Sequence, residues 1–478
     1  MRQREPISPR RGATLGAFAT CALAASIFCS CAGLRGIDDP FLPAEQLASD
    51  SVETLTPTEQ PSWSSWAGSA TRAATRRARG IDDPRVAWSS RVGILGYANS
   101  PLVDGETIYV ASQGVTHNAP DDEDGAYALD ARTGEQLWFT PTEEDLNGAT
   151  LGARALFAGT DSGTLYAFDR ATGATLWSQS FEHAHHHGPV LLDGRLWVNG
   201  RDIVYELDAG TGDVLRRVPV PRDDWSVRGA LSVHEGGLLR TSRNGGLQRI
   251  EDGSMVWERG LVEMDRDGYA HAPQYAPAVI VGDVALVSAP VNLAYGSVDI
   301  DVVAVDAISG AIRWRSALAE VGQELTRRGP MNSYDLGYSA TAPWVSGGLV
   351  FVPWLEGAYL LGLELADGSG ALSVPLPDCR SRQFATLVGV PSRGYYARHD
   401  GALYSFVPST GELDWAMQLG ALAGAGQVTR PLAAPASFCT AEPYHGVGLY
   451  APPALSEDGW IYVGAGSGVL YAIVDEQW

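Results

Sequence analysis

From residue 127 to 138 the chain reads YALDARTGEQLW, and the alternation of Tyr127, Ala128, Leu129 and Asp130 is that of a strand with one buried face. Thr133 and Gly134 supply the positive φ that a tight, bulged hairpin turn requires, and a second strand then delivers Trp138. The pattern is written again as YAFDRATGATLW (166–177), YELDAGTGDVLR (205–216), VAVDAISGAIRW (303–314), LGLELADGSGAL (361–372) and YSFVPSTGELDW (404–415), with a shortened copy, QRIEDGSMVW, at 248–257. A second turn signal keeps step upstream: LVDGE at Leu102, LLDGR at Leu191, VHEGG at Val233, VGDV at Val281, VSGG at Val345 and LSEDG at Leu455.

Gly134, Gly173 and Gly212 follow one another at intervals of 39 residues, and insertions stretch the spacing to Gly253, Gly310, Gly368 and Gly411. This period in all-strand sequence predicts propeller blades of four antiparallel strands. The last unit stops after a third strand beginning at Tyr471, while RVAWSSRV at Arg85 has no hairpin partner of its own. The N-terminal strand is therefore expected to complete the last blade, giving an all-β, eight-bladed β-propeller over residues 85–478. Trp88, Trp138, Trp177, Trp257, Trp314 and Trp415 are expected to pack blade on blade rather than to form a ligand cage, because each unit buries its face only against its neighbours.

The repeat YALDxxTGxxLW with its preceding DG turn resembles the PQQ-like repeat of quinoprotein alcohol dehydrogenases and of the lipoprotein subunit of the bacterial β-barrel assembly machine, over nearly all of the chain after Arg85. The resemblance implies the propeller fold. For function it points two ways, to enzymes that hold a quinone and to scaffolds that hold none. Quinone-dependent relatives carry a vicinal disulfide over the cofactor, and this chain has no adjacent cysteines; it also has no CxxCH haem motif and no flanking motif that would carry over a calcium ligand or a catalytic carboxylate. Nucleophile-elbow, phosphate-loop and HExxH motifs are absent as well. The reading is a non-catalytic propeller without a cofactor, a protein-binding scaffold or recognition module. The alternatives are a metal or small-ligand receptor and a quinone-dependent alcohol dehydrogenase-like enzyme.

Composition narrows the partners. All 34 basic residues are arginine, the formal charge is −22 and the pI is near 4.7, so the basic footprint of a nucleic-acid binder is missing. Residues 1–30 read as a signal peptide, with Arg2, Arg4, Arg10 and Arg11 before an apolar run at 13–28 that is too short for a comfortable membrane span. FCSCAG resembles a lipobox with Cys31 as the lipidated residue; Cys29, Cys21 or simple secretory cleavage stay open. Residues 31–84, rich in Ser, Thr, Ala and Pro, read as a flexible tether. The expected location is the outer membrane, facing periplasm or cell surface, with membrane contact through the lipid and an envelope protein as partner. Cys379 and Cys439 form a candidate disulfide in such an oxidising compartment, two separate thiols being the alternative.

Propeller geometry gathers the long insertions, at 113–125, 182–188, 264–276, 322–342 and 419–451, on one face, and leaves the DG and TG turns on the other. Eight of the nine histidines fall on this loop face; His234 is the exception. His185 and His187 in EHAHHHG, with His271 and His445 from other blades, suit zinc, copper or nickel, whereas Asp121, Asp122, Glu123 and Asp124 are oxygen donors suited to calcium. His117, Tyr269, Tyr275, Tyr334, Tyr338 and Tyr444 could form an amphipathic binding surface. Exposed polar loop residues and tyrosines packing loop on loop are the plainer reading of both groups.

Overall fold

The computed structural model describes residues 63–477, apart from 97, 118, 161, 182–187, 222–229, 243–245, 262–275, 294–296, 328–340, 355–357, 378–386, 420–426 and 430–447. The described strands form eight antiparallel sheets. Blade one consists of Leu102–Asp104, Thr107–Gln113, Asp124–Asp130 and Gln136–Pro141, and blades two to seven follow in order at 146–180, 190–219, 231–260, 279–317, 344–375 and 388–429. Blade eight joins the two ends of the chain: Ala454–Leu455, Ile461–Gly464 and Val469–Asp475 are completed by Pro84–Arg91, with Trp88 opposite Ala472 and Ser89 opposite Tyr471. The expected closure is therefore the observed one.

Burial falls from the axis outward. In blade one the second and third strands are buried almost throughout, while the outermost strand, Gln136–Pro141, is exposed or half-buried at every position. The outermost strand has a neighbour on one side only, so polar residues and the flanks of the tryptophan occupy it.

The repeated glycine and the repeated tryptophan turn out to be two halves of one contact. Gly134, Gly173, Gly212, Gly253, Gly310, Gly368 and Gly411 all have φ between +72° and +77°, and a register shift precedes each of these hairpin turns. A Cβ would lie 2.4 Å from Trp88 at Gly134, 2.7 Å from Trp138 at Gly173, 2.6 Å from Trp177 at Gly212, 2.8 Å from Trp257 at Gly310 and 2.5 Å from Trp314 at Gly368. Each indole thus lies on the turn of the following blade. Its Nε1 also donates to a carbonyl of that turn: Ala131 (3.1 Å), Arg170 (2.9 Å), Ala209 (3.1 Å), Ile308 (2.7 Å) and Leu365 (2.8 Å). Trp415 Nε1 donates instead to Ile81 O, in the segment before the closing strand, at 3.0 Å. At two seams another side chain takes the place of the indole, Arg216 over Gly253 and Leu372 over Gly411.

In four of these turns the aspartate at the start of the turn holds it from within. Oδ1 of Asp130 accepts from the backbone N–H of Arg132 and Thr133, and Asp169, Asp208 and Asp306 repeat the arrangement. The Thr172 hydroxyl is the largest influence holding the Asp169 carboxyl below the usual range. Blade eight has no such turn, yet Asp475 Oδ2 accepts from Asp82 N at 2.8 Å, replacing a covalent hairpin across 393 positions of sequence.

Two elements depart from the simple repeat. Blade seven has a fifth strand, Gln427–Thr429, paired to its outermost strand. The insertion after blade five opens as a helix, Leu318–Thr326, closed by Arg327 at φ +54° and packed with Gly322 against Trp354.

Candidate functional site in the channel and on the loop face

The larger difference from expectation lies before the first blade. Residues 31–84 read as a flexible tether, but from Trp63 onward this stretch is packed into the propeller. Residues 63–76 form a collar that follows the innermost strands around the channel, at their turn-face ends. Trp63 O accepts from Val103 N in blade one, and Ser64 O from Leu151 N in blade two. Ala70 O accepts from Val233 N in blade four, and Thr71 O from Ile280 N in blade five. The Thr75 hydroxyl reaches Val345 O in blade six, Ala74 and Arg76 bond Gly389 in blade seven, and Arg76 pairs with Glu457 in blade eight at 3.0 Å. Innermost strands have backbone groups facing the channel with no strand beside them, and the collar supplies their partners. The chain then leaves between blades seven and eight, where Ile81 N donates to the Tyr395 hydroxyl, and becomes the closing strand.

The collar also fills space. Trp63 and Trp66 are each 1% exposed, and Trp63 Nε1 donates to Ser100 Oγ, which itself donates to Pro452 O at the start of blade eight. Three of its residues other than glycine take positive φ, Ala67 (+53°), Arg72 (+61°) and Ala74 (+52°). Arg72 is fully buried; its Nε donates to Leu231 O (3.2 Å) and its Nη1 to Trp66 O (3.1 Å). Burial pulls its pKa down to about 9.

On the loop face, the described part of the first insertion is built on Asp121 and Asp124. Asp121 accepts from the N–H groups of Val115, Thr116 and Glu123, and Asp124 from that of Asp121. His117 Nδ1 lies 3.1 Å from Asp145 Oδ2. Burial first, then the carboxylates of Asp145 and Asp121, push the Asp124 carboxyl up to about 6. In blade seven, Arg398, Asp400 and Tyr404 form a buried, mutually bonded group, and the guanidinium of Arg398 lies over the Tyr404 ring. His399 beside it is buried, and desolvation pulls its pKa down to about 4, so this loop-face histidine is a neutral interior group.

Of the residues singled out from sequence, His117 is placed at the loop face as described. Cys31, Cys379, Cys439, His185, His187, His271, His445, Tyr269, Tyr275, Tyr334, Tyr338 and Tyr444 lie outside the described residues. Among the described residues one group has metal-like spacing, His234, Glu235 and Asp283, on the turn face. Its chemistry is unfavourable. Arg249 Nη1 sits 3.1 Å from His234 Nδ1 and Asp283 Oδ1 3.1 Å from Nε2, so both ring nitrogens are engaged and a guanidinium stands where a cation would bind. The residues that sequence reasoning passed over are those of the collar. The pair of tryptophans in WSSWAG, within a stretch otherwise poor in large apolar residues, was the signal for them.

Eight four-stranded blades, five of their seams locked indole on glycine and the N-terminal strand closing the ring, define an eight-bladed β-propeller. Residues 161–369 match the sequence family described as outer membrane protein assembly factor BamB. A curated relative, the outer membrane protein assembly factor BamB of Yersinia pestis, is 24% identical over 270 residues, which span 52% of this chain and 64% of that protein. Among solved structures, BamB from Moraxella catarrhalis superposes with a TM-score of 0.57 at 15% identity, covering 82% of this chain and 99% of that one. Quinohemoprotein alcohol dehydrogenase from Comamonas testosteroni gives 0.60 at 14% identity, covering 90% and 84%. At such identities the structural likeness shows the fold.

Proposed function

We propose that this chain is a non-catalytic binding propeller of the cell envelope, held at the outer membrane by a lipid on Cys31 and presenting its loop face to a protein partner. The observation that carries the reading is the collar. It occupies the turn-face end of the channel with the chain's own backbone and with Trp63 and Trp66, which leaves the loop face and outer wall as the broad surfaces for a partner. The similarity to an outer membrane assembly factor supports a role among envelope proteins. No helix among the described residues is long and apolar enough to cross a membrane, which is compatible with a lipid as the anchor.

A bound quinone fits the described residues poorly. The chain lacks adjacent cysteines, and no oxygen-donor cluster of metal-binding spacing lines the described part of the channel. Crosslinking of the full-length chain in envelope preparations, followed by purification and mass spectrometry, should recover a defined envelope protein, and recovery of none would remove the scaffold reading. Reconstitution with quinone and calcium should leave dye-linked alcohol oxidation at background; turnover would restore the enzyme alternative.

A further inference from the structure

On the turn face, the seam between blades one and two carries an open cleft of about 630 Å³, a size that holds a small ligand. Both blades line it: Asp104, Tyr109, Leu137 and Trp138 from the first, Arg154 and Arg170 from the second. Trp138 is half-buried, fixed by its Nε1 bond to Arg170 O, and its ring centre lies 6.1 Å from that of Tyr109. Leu137 is the bulge residue of its strand, because Gln136 and Trp138 on either side pair with Leu129 and Ala128 and leave it without a ladder partner. It is 54% exposed. One part of the lining is therefore aromatic and aliphatic.

The polar part belongs to this seam alone. The residue directly after the third strand is Ala131, Ala209, Ala307 and Leu365 in blades one, three, five and six, but Arg170 in blade two. Its guanidinium crosses the seam, lies 5.1 Å over the Tyr109 ring, pairs with Asp104 Oδ2 and donates through Nη1 to Gly152 O at 2.9 Å. Arg154 has an 84% exposed side chain and stands 3.7 Å from Asp169, beyond hydrogen-bond distance. A staple across the seam explains Arg170 and Asp104. It does not explain Arg154, which the lining also includes.

Two arginines against two carboxylates leave the lining without net charge, so a charged ligand would unbalance one of the pairs. A wholly apolar ligand would take water from Arg154 and Asp104 and return no hydrogen bond. A neutral ring with an apolar face and hydroxyls at its edge meets both conditions. We infer that this cleft binds a neutral saccharide of one or two rings, with Leu137 and Trp138 as its apolar face, Arg154 as donor and Asp104 Oδ1 as acceptor for the hydroxyls. The cleft is separate from the loop face proposed for a protein partner, and the inference does not rest on that reading.

The test is saturation-transfer difference NMR with calorimetric titration of the full chain, using maltose, N,N′-diacetylchitobiose and, as the charged comparison, glucuronate. In the wild type, transfer should reach the ring C–H protons of at least one neutral sugar, with half-saturation on the order of 1 mM, and glucuronate should not bind. Arg154→Ala should raise the half-saturating concentration about tenfold, and Leu137→Ser about fivefold. Both positions are exposed, so both variants should fold. Leu215→Ser alters the same bulge position in blade three, 48% exposed, and should bind as the wild type does. Failure of both neutral sugars to bind, glucuronate bound as tightly, either cleft variant unchanged, or an equal loss in Leu215→Ser overturns the proposal.

Discussion

Gly212 and Gly194 have nearly the same backbone, φ +77° and +73°, and opposite surroundings: a Cβ at Gly212 would lie 2.6 Å from Trp177, whereas one at Gly194 meets nothing within 4 Å. Gly194→Ala should therefore cost only the left-handed conformation, about 1 kcal/mol, and Gly212→Ala about 3 kcal/mol, as urea unfolding would measure. Equal losses would mean that the indole is not the reason for the glycine. Asp124 makes a second prediction at this scale. The folded chain holds its proton up to about pH 6, against 3.8 as the ordinary value, so folding binds that proton more tightly than unfolding does. Stability contributed here falls as pH rises from 3.8 to about 6 and is not recovered above it. Asp124→Asn should be more stable relative to wild type at pH 7 than at pH 4, checked by thermal midpoints at the two values. Turn glycine and tryptophan were each legible in the sequence, but their union was not, since the glycine and the indole that touch belong to different copies of the repeat.

At the scale of elements, strands and hairpins could be read because their signals are local and repeated, two turns per unit in step. The collar could not. Residues 63–76 have no periodicity, since they meet one blade after another, mostly through backbone groups, and backbone partners leave little trace in side-chain pattern. The one trace is Trp63 and Trp66. Replacing either by alanine should cost about 3–5 kcal/mol, a loss typical of buried indoles and foreign to a flexible tether. Hydrogen exchange gives a sharper check. In a chain lacking residues 63–76, the amides of Val103, Leu151, Val233, Ile280 and Gly389 should lose protection together, while the hairpin amides of Asp130 and Asp169 keep theirs. The helix at Leu318–Thr326 and the fifth strand of blade seven also escaped the sequence, both lying in insertions that have no counterpart among the repeats. The loop-face histidines and tyrosines fall largely outside the described residues, so their grouping stands as an expectation.

For the molecule as a whole, the seam in blade eight is the one place where the ring is joined without covalent continuity. Asp475 carries that seam by accepting from Asp82 and Asp83 in addition to the strand ladder. Asp475→Ala leaves those donors without their acceptor and should destabilise by about 1–3 kcal/mol, more than Asp130→Ala, whose hairpin remains tied by the chain itself. Limited proteolysis should show the alanine variant at 475 opening first near Pro84–Arg91. The seam and the collar are consecutive in sequence, and this sets an order of events. A growing or translocating chain delivers these residues early, yet they have nowhere to settle until blades one to eight exist, the last of which is built some four hundred residues later. Until then two exposed indoles and an unpaired strand must wait, a natural moment for a holding chaperone to act, and maturation becomes a single late event that only a fully delivered chain can undergo.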